Sequence, residues 1–350
     1  MVNLQRIRQK IDRISLSYRF ADSKLYIVER SYHLWIKDCI MKVSGVLDLV
    51  GNTPIVELVR FNPKPDVRIF AKLEGQNPSG SIKDRIVLAM VEDAEEKGEI
   101  KKGDTIVEAS SGNTAIALAL VAKQKGYRVE VVIPGEVAPS IGDLLELYGA
   151  TITWCEPVAG MKGAIDIAKD IASKPGCHYL GQFDNEINLM THYSKTAQEI
   201  IDTGINVDVL VAGIGTGGTI TGLSRRRLRE VNPAIEVVGI EPKLGESLQG
   251  LRSMSEGYVP PLVDLKMLDG RFLVDSATAI SFARSITDKE GILAGVSAGA
   301  GLHVALRIAE NRDQANILIM FSDGGWKYLP ASPWEAALQG KESLDDIHWW

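Results

Sequence analysis

The chain has 350 residues, of which 45% are hydrophobic and 24% are charged, and its formal net charge at pH 7 is -6. This length allows two domains with a large core, and the composition is ordinary for a soluble globular protein. The acidic balance argues against general nucleic-acid binding, and no apolar run is long enough to cross a bilayer, so we expect neither a nucleic-acid nor a membrane partner.

The cysteines and histidines predict neither a metal site nor a disulfide framework. Cys39, Cys155 and Cys177 are odd in number, far apart and without a Cys-x-x-Cys pair, and the five histidines are equally scattered. Such spacing is typical of reduced thiols in a cytoplasmic protein. Residues 1–40 are rich in basic residues but lack the apolar core and cleavage site of a secretory signal. We treat them as an N-terminal extension of unknown role.

From Val43 on, strands and helices alternate along the chain. The predicted strands are Ile55 to Val59, Val67 to Leu73, Asp104 to Glu108, Arg128 to Ile133, Thr151 to Cys155, Tyr179 to Phe183, Val207 to Ala212, Ile235 to Ile240 and Asn316 to Phe321. Several are unbroken apolar runs, which is typical of parallel strands covered on both faces. The pattern therefore predicts an α/β fold whose ligands lie in the loops that follow the strands.

The first of these loops carries a lysine at the start of a helix. The strand that ends at Leu73 is followed by an Asn-Pro-Ser-Gly turn and then by Lys83, at the mouth of a helix predicted from Asp84 to Lys97 with Ser81 as its N-cap. A helix N-terminus disfavours a cation, so an amine held there loses its proton more readily. Only a neutral amine attacks a carbonyl, which makes Lys83 a candidate nucleophile. The alternative is an ordinary solvated lysine.

Two further loops offer backbone N–H groups at the start of a helix. Ser110 to Thr114 adds hydroxyls and an amide that suit a carboxylate, although a capped helix without a ligand uses similar residues. Gly213 to Thr219 follows a buried strand, and its glycines let the backbone approach a phosphate closely. This second loop lacks the lysine of a Walker A motif. It matches GxGxxG, and Glu241 ends the next strand, so a nicotinamide-dependent dehydrogenase stays open as an alternative.

A later loop, Gly295 to Gly299, fits the GxSxG motif of the α/β-hydrolase nucleophile elbow. Ser297 would be the nucleophile, and Asp323 and His348 follow in the order of a catalytic triad. The segment before Ser297 is a poor strand, whereas the elbow is a sharp turn between a strand and a helix. The motif leaves a hydrolase open as a further alternative, and a non-catalytic binding module is the last one.

Taken together and in this order, the lysine turn, the Ser/Gly/Asn loop, the glycine loop and the late serine resemble the cysteine synthase family of fold type II pyridoxal-phosphate enzymes. The resemblance runs from about Val43 to Tyr328. It implies a tryptophan synthase β-like fold, which is α/β with two open twisted, mostly parallel sheets flanked by helices. It also implies a homodimer, a large cofactor-binding domain (41–83 and 187–330) and a smaller mobile domain with the carboxylate loop (84–186).

The resemblance also implies a role for each motif residue. Lys83 looks like the lysine that forms the Schiff base with pyridoxal 5'-phosphate and later takes the Cα proton. The segment that looks like the cofactor's phosphate cup consists of Gly215, Thr216, Gly217, Gly218 and Thr219. Ser297 looks like the partner of the pyridine nitrogen, and Asn113 like a partner of the phenolic oxygen. The residues that look like the site for the substrate carboxylate are Ser110, Ser111, Gly112, Asn113, Thr114 and Gln182.

Two of these segments depart from the family pattern. Glu186 stands where the family usually has proline, and Ser110 stands where it more often has threonine. A neutral serine at the pyridine nitrogen stabilises a carbanion less than a carboxylate would, which suits elimination of a leaving group from Cβ.

The implied reaction is a β-replacement that yields L-cysteine. An O-activated L-serine is converted to an aminoacrylate, and sulfide or a protein-bound sulfur donor then adds to it. Arg225 matches in position an arginine of the O-phosphoserine-using branch, so we expect O-phosphoserine rather than O-acetylserine. The alternative for the run of arginines from 225 to 229 is a solvated basic helix face. In that branch a C-terminal tail can fold over the site, and residues 331–350 are a candidate for such a lid. Cystathionine β-synthase, threonine deaminase and diaminopropionate-forming relatives share the same frame.

Overall fold

The computed structural model describes residues 43–110, 112–135, 139–224, 228–246, 248–255 and 258–331. Several predictions concern residues outside these ranges: the N-terminal extension, Ser111, Arg225, His348 and the tail from residue 332 on. The described strands are β1 (Ile55–Glu57), β2 (Val67–Leu73), β3 (Thr105–Ala109), β4 (Arg128–Pro134), β5 (Thr151–Cys155), β6 (Cys177–Tyr179), β7 (Val209–Gly213), β8 (Glu236–Pro242), β9 (Gly270–Val274) and β10 (Ala315–Phe321).

These strands form two sheets. The first has six strands in the order β1-β2-β10-β7-β8-β9, and within it β1 pairs antiparallel with β2 whereas the other pairs are parallel. The second has four parallel strands in the order β5-β4-β3-β6. The predicted fold class, two mostly parallel sheets flanked by helices, is confirmed.

Helices connect most of the strands. They are α1 (Lys83–Glu96), α2 (Asn113–Lys125), α3 (Pro139–Tyr148), α4 (Gly160–Ala172), α5 (Glu186–Thr191), α6 (Ala197–Asp202), α7 (Gly218–Gly222), α8 (Leu228–Val231), α9 (Ser276–Glu290) and α10 (Val296–Glu310). A π-helical turn, His192–Thr196, joins α5 to α6. The 3-10 segments are Val46–Leu49, Val59–Phe61, Glu74–Gln76, Pro157–Ala159, Leu265–Met267 and Gly325–Ala331. Among the described residues, no helix has the length and apolarity that a bilayer crossing needs.

The unbroken apolar runs have a simple cause in the six-stranded sheet. Successive side chains of a strand point to opposite faces. In β10, Ile317 and Ile319 enter the core that includes α10, whereas Leu318 and Met320 enter the core on the other face. Both faces are buried from Ile317 to Phe321, and every residue of that run is apolar.

The parallel register brings three loops to one edge of this sheet. Phe321 at the end of β10 pairs with Leu73 at the end of β2, and Ile319 pairs with Val211 of β7. The lysine turn, the segment after β10 and the glycine loop after β7 therefore leave the sheet side by side. This is the edge at which ligands of such sheets bind.

The largest differences from the predicted strands are one misplaced strand and one strand that was not predicted. The strand predicted from Tyr179 to Phe183 is wrong in its bounds: β6 ends at Tyr179, and Gly181, with φ +71°, starts a turn. Strand β9 was not predicted; it is a short edge strand whose central residues, Arg271, Phe272 and Leu273, are exposed. The two sheets draw on separate stretches of the chain, and the division into a large and a smaller mobile domain stays a prediction.

Candidate active site

Lys83 is the first residue of α1 and is only partly exposed. The N-cap is Ile82, so the prediction of Ser81 as the cap is wrong; the Ser81 hydroxyl instead accepts a hydrogen bond from the Lys83 backbone N–H at 3.3 Å. Burial lowers the pKa of the Lys83 amine to about 8, and the negative charge of Asp323 acts in the opposite direction. The amine therefore loses its proton more readily than a surface lysine, with burial as the larger cause.

Two adjacent cavities bring the predicted site residues together. The larger, about 670 Å³, is lined among others by Lys83, Ser110, Gly112, Asn113, Thr114, Gln182, Gly215 and Thr216. The smaller, about 30 Å³, is lined among others by Lys83, Asn113, Gly215, Thr216, Gly217, Thr219 and Ser297. Lys83 and Asn113 line both, so motifs that lie far apart in the sequence share one site. Ser111 and Arg225 are outside the described residues.

The glycine loop is glycine-rich because the protein itself fills the space beside it. A Cβ at Gly213 would collide with Leu251, one at Gly215 with the carbonyl oxygen of Gly250, and one at Gly218 with the side chain of Asn188. Gly217 has φ +89°, a left-handed conformation that other residues rarely adopt. The loop therefore turns its backbone N–H groups tightly at the start of α7.

Glu241 does not take the position that a nicotinamide-binding site would need. It is buried, and its carboxylate accepts hydrogen bonds from the Met254 backbone N–H at 2.7 Å and from Arg271 at 2.8 Å. A ribose-binding carboxylate has to face the ligand. The GxGxxG match is thus explained by local packing.

Gln182 is buried beside the Ser/Gly/Asn loop and is held at both ends of its amide. Its Oε1 accepts a hydrogen bond from the Thr114 hydroxyl at 2.6 Å, and its Nε2 donates to the Ala109 carbonyl oxygen at 2.9 Å. The Glu108 carboxylate accepts a hydrogen bond from the Gln182 backbone N–H at 3.1 Å. Burial raises the pKa of Glu108 to about 8. These contacts place Gln182 and Thr114 together on the wall of the larger cavity.

Ser297 lies in the first turn of α10, whose N-cap is Gly295. The residues directly before Ser297, between α9 and α10, form no strand; Ala294 makes only an isolated β-bridge with Gly324. The two glycines of GxSxG are packing positions: a Cβ at Gly295 would collide with the Asp323 carboxylate, and one at Gly299 with the Ala279 carbonyl oxygen. The strand and turn of a hydrolase elbow are therefore not present before Ser297.

The sequence reasoning missed three residues of the site. Asp323, assigned only to a hydrolase triad, bonds Asn113 instead, with Asn113 Nδ2 2.8 Å from Asp323 Oδ2. Lys327 is buried and donates to Asn113 Oδ1. Arg252 lines the larger cavity, with its guanidinium 5.1 Å from the ring centre of Phe183 and 5.9 Å from that of Tyr258. Asp323 and Lys327 lie in the segment from Asp323 to Leu329, which also resembles the O-phosphoserine-using branch, but no role at this site was predicted for either residue or for Arg252. Asp323 lines the smaller cavity and Arg252 the larger, whereas Lys327 reaches the site through Asn113.

A network of buried charges supports the lysine turn from the other side. The Arg85 guanidinium bonds the carboxylates of Glu74 and Glu199, each with a closest distance of 2.6 Å. Lys72 Nζ lies 2.8 Å from Glu199 Oε2 and donates to the Thr53 carbonyl oxygen. Hydrogen bonds from Arg85 come first among the causes that hold the pKa of Glu199 at about 2 against the effect of burial. Every charge of this network has a partner.

Known proteins agree with this geometry. A family model described as "Pyridoxal-phosphate dependent enzyme" matches residues 46–323. Cysteine synthase B of Escherichia coli (strain K12) is 38% identical over 288 residues, which are 82% of this chain and 95% of that protein. A crystal structure of O-ureido-L-serine synthase is 37% identical with a TM-score of 0.80 and covers 87% of this chain and 98% of its own. A crystal structure of an O-acetylserine dependent cystathionine beta-synthase from Helicobacter pylori is 33% identical with a TM-score of 0.75. It covers 83% of this chain and 98% of its own.

The fold and the site thus define an enzyme that depends on pyridoxal phosphate. The chain belongs to the family of pyridoxal-phosphate dependent enzymes, and its predicted similarity to the cysteine synthases is confirmed. The residues at the two cavities fit this cofactor: an amine that deprotonates readily, turned backbone N–H groups at the start of α7, and a serine hydroxyl that contributes no charge.

Proposed function

We propose that this enzyme is a cysteine synthase, which replaces the oxygen leaving group on Cβ of an activated L-serine with sulfur. One observation carries the proposal: Lys83, whose amine has a lowered pKa, lines the smaller cavity together with the glycine loop and Ser297. The similarity to cysteine synthase B supports the same reaction.

When bound, pyridoxal phosphate supplies an electron sink for the bonds at the substrate Cα. Lys83 Nζ would bind the aldehyde of the cofactor and, once released, would take the Cα proton. The backbone N–H groups and hydroxyls of Gly215–Thr219 would bind the phosphate. Ser297 would bond the pyridine nitrogen without adding a charge, and Asn113 would donate to the phenolic oxygen.

The loop that starts at Ser110 would bind the substrate carboxylate together with Gln182. The residues in this role are Ser110, Ser111, Gly112, Asn113 and Thr114. The Thr114 hydroxyl donates a hydrogen bond to Gln182 Oε1, so a substrate carboxylate that enters the cavity would compete with Gln182 for this donor. Gln182 and Thr216 are linked through Asn188, which donates to the Gln182 backbone carbonyl oxygen at 2.7 Å and to Thr216 Oγ1 at 3.1 Å. This link would keep the carboxylate site and the phosphate cup in fixed relation.

O-phosphoserine is the donor that we propose, in preference to O-acetylserine. A phosphate leaving group needs a cationic partner, and a guanidinium binds phosphate through paired hydrogen bonds. Arg252 lies in the wall of the larger cavity, stacked near Phe183. Arg225 was predicted for the same role from the sequence. We propose Arg252 as the residue that recognises the leaving group, with Arg225→Ala as the comparison variant.

The nucleophile would be sulfide or a protein-bound sulfur donor. A second candidate is a cystathionine β-synthase type of reaction with a larger thiol, because the larger cavity of about 670 Å³ has room for an amino-acid thiol and the Helicobacter pylori neighbour carries that name. Turnover with sulfide and with homocysteine, compared by product analysis at equal donor concentration, would separate the two. We further propose a cytoplasmic homodimer, which light scattering of the purified chain would test.

The direct test of this function is turnover of O-phosphoserine and O-acetylserine with sulfide by the wild type and by Lys83→Ala. We expect L-cysteine from the wild type and none above background from the variant. Lys97→Ala, at the other end of the same helix and exposed, is the matched control and should behave as the wild type. Full turnover by Lys83→Ala would overturn the proposal.

A further inference from the structure

Lys327 is a second lysine at this site, and its side chain is completely buried. Its ammonium group donates to the backbone carbonyl oxygen of Gly80, 3.3 Å away, and to the side-chain carbonyl oxygen of Asn113. A buried ammonium group needs such acceptors, because burial alone disfavours the charged form. The nearest carboxylate oxygen is Asp323 Oδ2, 3.7 Å from Lys327 Nζ.

Asp323 holds the other end of the same amide. Its Oδ2 accepts a hydrogen bond from Asn113 Nδ2 at 2.8 Å and another from the Tyr328 hydroxyl. Asp323 is itself 4% exposed, so water does not replace these donors. The cation of Lys327 and the anion of Asp323 thus bracket the Asn113 amide from two sides.

Only one orientation of the Asn113 amide is compatible with these neighbours. An ammonium group only donates hydrogen bonds and a carboxylate only accepts them, whereas an amide has one end of each kind. Turning the amide over would put its NH₂ group against Lys327 and its carbonyl oxygen against Asp323, and both contacts would be repulsive. In the observed orientation, Nδ2 donates to Asp323 and also interacts with the Tyr328 hydroxyl, and Asn113 lines both cavities.

The backbone of the same segment ties this arrangement to the lysine turn. The Ile82 N–H donates to the Ser322 carbonyl oxygen at 2.8 Å, and the Gly324 N–H donates to the Gly80 carbonyl oxygen at 3.1 Å. Ser81 also forms a bridge with Asp323. The segment after β10 therefore holds both the turn that carries Lys83 and the side chain of Asn113.

We propose that Lys327 and Asp323 are positioning residues that fix the Asn113 amide, so that Asn113 presents an N–H group and not a carbonyl oxygen to the active site. This inference rests on the proposed function, in which Asn113 donates to an oxygen of the cofactor or of the substrate. The group that Asn113 recognises has to be a hydrogen-bond acceptor, which a phenolic oxygen and a carboxylate both are.

A double-mutant cycle between positions 327 and 113 tests the proposal on the full-length chain. The variants are Lys327→Met, Asn113→Ala and the double variant, and the readouts are the affinity of the apoprotein for pyridoxal phosphate and kcat/KM for the serine donor. We expect Lys327→Met to lower at least one of these by about 10-fold or more in the wild-type background, the size of a lost charge-assisted hydrogen bond. In the Asn113→Ala background the same substitution should change neither by more than about 2-fold.

The control for general loosening is Lys125→Met, at the other end of the helix that begins with Asn113. Lys125 also makes a partly buried ion pair, with Glu95 at 2.8 Å, but it is remote from the cavities. We expect Lys125→Met to match the wild type in both readouts. An equal effect of Lys327→Met in both backgrounds would overturn the proposal, because a purely structural role is additive with the loss of Asn113.

Two further outcomes keep the test decisive. If Lys327→Met does not fold, the same cycle is run with Asp323→Asn, which preserves the side-chain shape and acts on the other end of the amide; additivity there would also overturn the proposal. If the wild type binds pyridoxal phosphate and the cycle is additive, only this inference fails. If the wild type binds no pyridoxal phosphate, both the proposed function and this inference fail.

Discussion

The buried cations in and near the lysine turn have two different environments. Beneath it, Lys72 and Arg85 are buried in a network in which Glu74 and Glu199 neutralise them. On its cavity side, Lys83 is also largely removed from water, yet no described residue accepts a hydrogen bond from its amine, and its pKa falls to about 8. Lys72 and Arg85 have carboxylates within ion-pair distance, whereas burial lowers the pKa of Lys83 and makes its amine ready to lose a proton.

The paired charges contribute to stability, whereas the Lys83 amine contributes reactivity at a cost in stability. Glu199, with its pKa lowered to about 2, contributes stability that is complete above its ordinary pKa of 4.5 and is lost as the pH falls towards 2. Lys83 has the opposite sign: its lowered pKa costs stability below pH 8, and the cost disappears as the pH rises from about 8 to 10.5. The network stabilises the turn, and the turn holds a destabilising amine where chemistry needs it.

The largest effect is expected from Lys83→Met. Turnover should fall by about 10³-fold or more, because the variant has neither a nucleophile nor a base at this position. At the same time the free energy of unfolding of the apoprotein should rise by about 0.5–2 kcal/mol, since an unpaired amine is removed from a buried site. Turnover assays and urea unfolding at pH 7 measure the two quantities. A destabilised apoprotein would contradict the comparison between the two kinds of cation.

The opposite pattern is expected from Arg85→Met. Removing this guanidinium leaves Glu74 and Glu199 without their main partner, and the free energy of unfolding should fall by about 3–5 kcal/mol. Urea unfolding at pH 7 measures the loss. Arg307→Met, which breaks an exposed pair with Glu310, is the matched control and should cost no more than about 1 kcal/mol. Equal losses in the two variants would show that the network is not what supports the turn.

Arg252→Gln should change the choice of donor. Losing a charge-assisted contact to phosphate should lower kcat/KM for O-phosphoserine by about 10- to 100-fold, while kcat/KM for O-acetylserine changes by less than about 3-fold. Steady-state kinetics with both donors measure the ratio, and Arg225→Ala serves as the parallel variant. If kcat/KM falls equally for both donors, Arg252 supports the cavity wall but does not recognise the leaving group.

The smallest effect concerns the pH dependence of cofactor capture by the apoprotein. The neutral Lys83 amine is the reactive form, so the capture rate should rise with pH around a midpoint near 8. Asp323 raises the pKa of this amine, so Asp323→Asn should move the midpoint to lower pH. Stopped-flow absorbance at a series of pH values measures it, with the exposed Asp166→Asn as control. A midpoint that moves upward would refute the assignment of the amine.

The sequence predicted the fold where burial leaves a pattern. The strands at the centre of the six-stranded sheet are apolar on both faces, so they were found close to their true bounds. β9 was not found, because its apolar run is only three residues long and two of these three are exposed at the sheet edge. The helix start at Lys83 was misplaced by one residue, because the Ser81 hydroxyl bonds the Lys83 N–H without capping the helix in the usual way.

The sequence predicted the site where a motif names the residue. Lys83, Asn113, the glycine loop and Ser297 each belong to a recognisable segment, and the structure brings them to the same cavities. Arg252 belongs to no such segment, and the segment that contains Lys327 predicted no role for that residue. Lys327 contacts Asn113, which is more than a hundred positions away in the sequence, and the position of Arg252 depends on which loops line the cavity. A local sequence pattern predicts neither contact.

The measurement that tests the central claim most directly is reduction of the loaded enzyme with borohydride, followed by peptide mapping. The reduction makes the bond between the cofactor and its lysine permanent, so the mass of the cofactor stays on one peptide. We predict that this peptide contains Lys83. Cofactor mass on Lys327 or any other lysine, or no incorporation at all, would contradict the account.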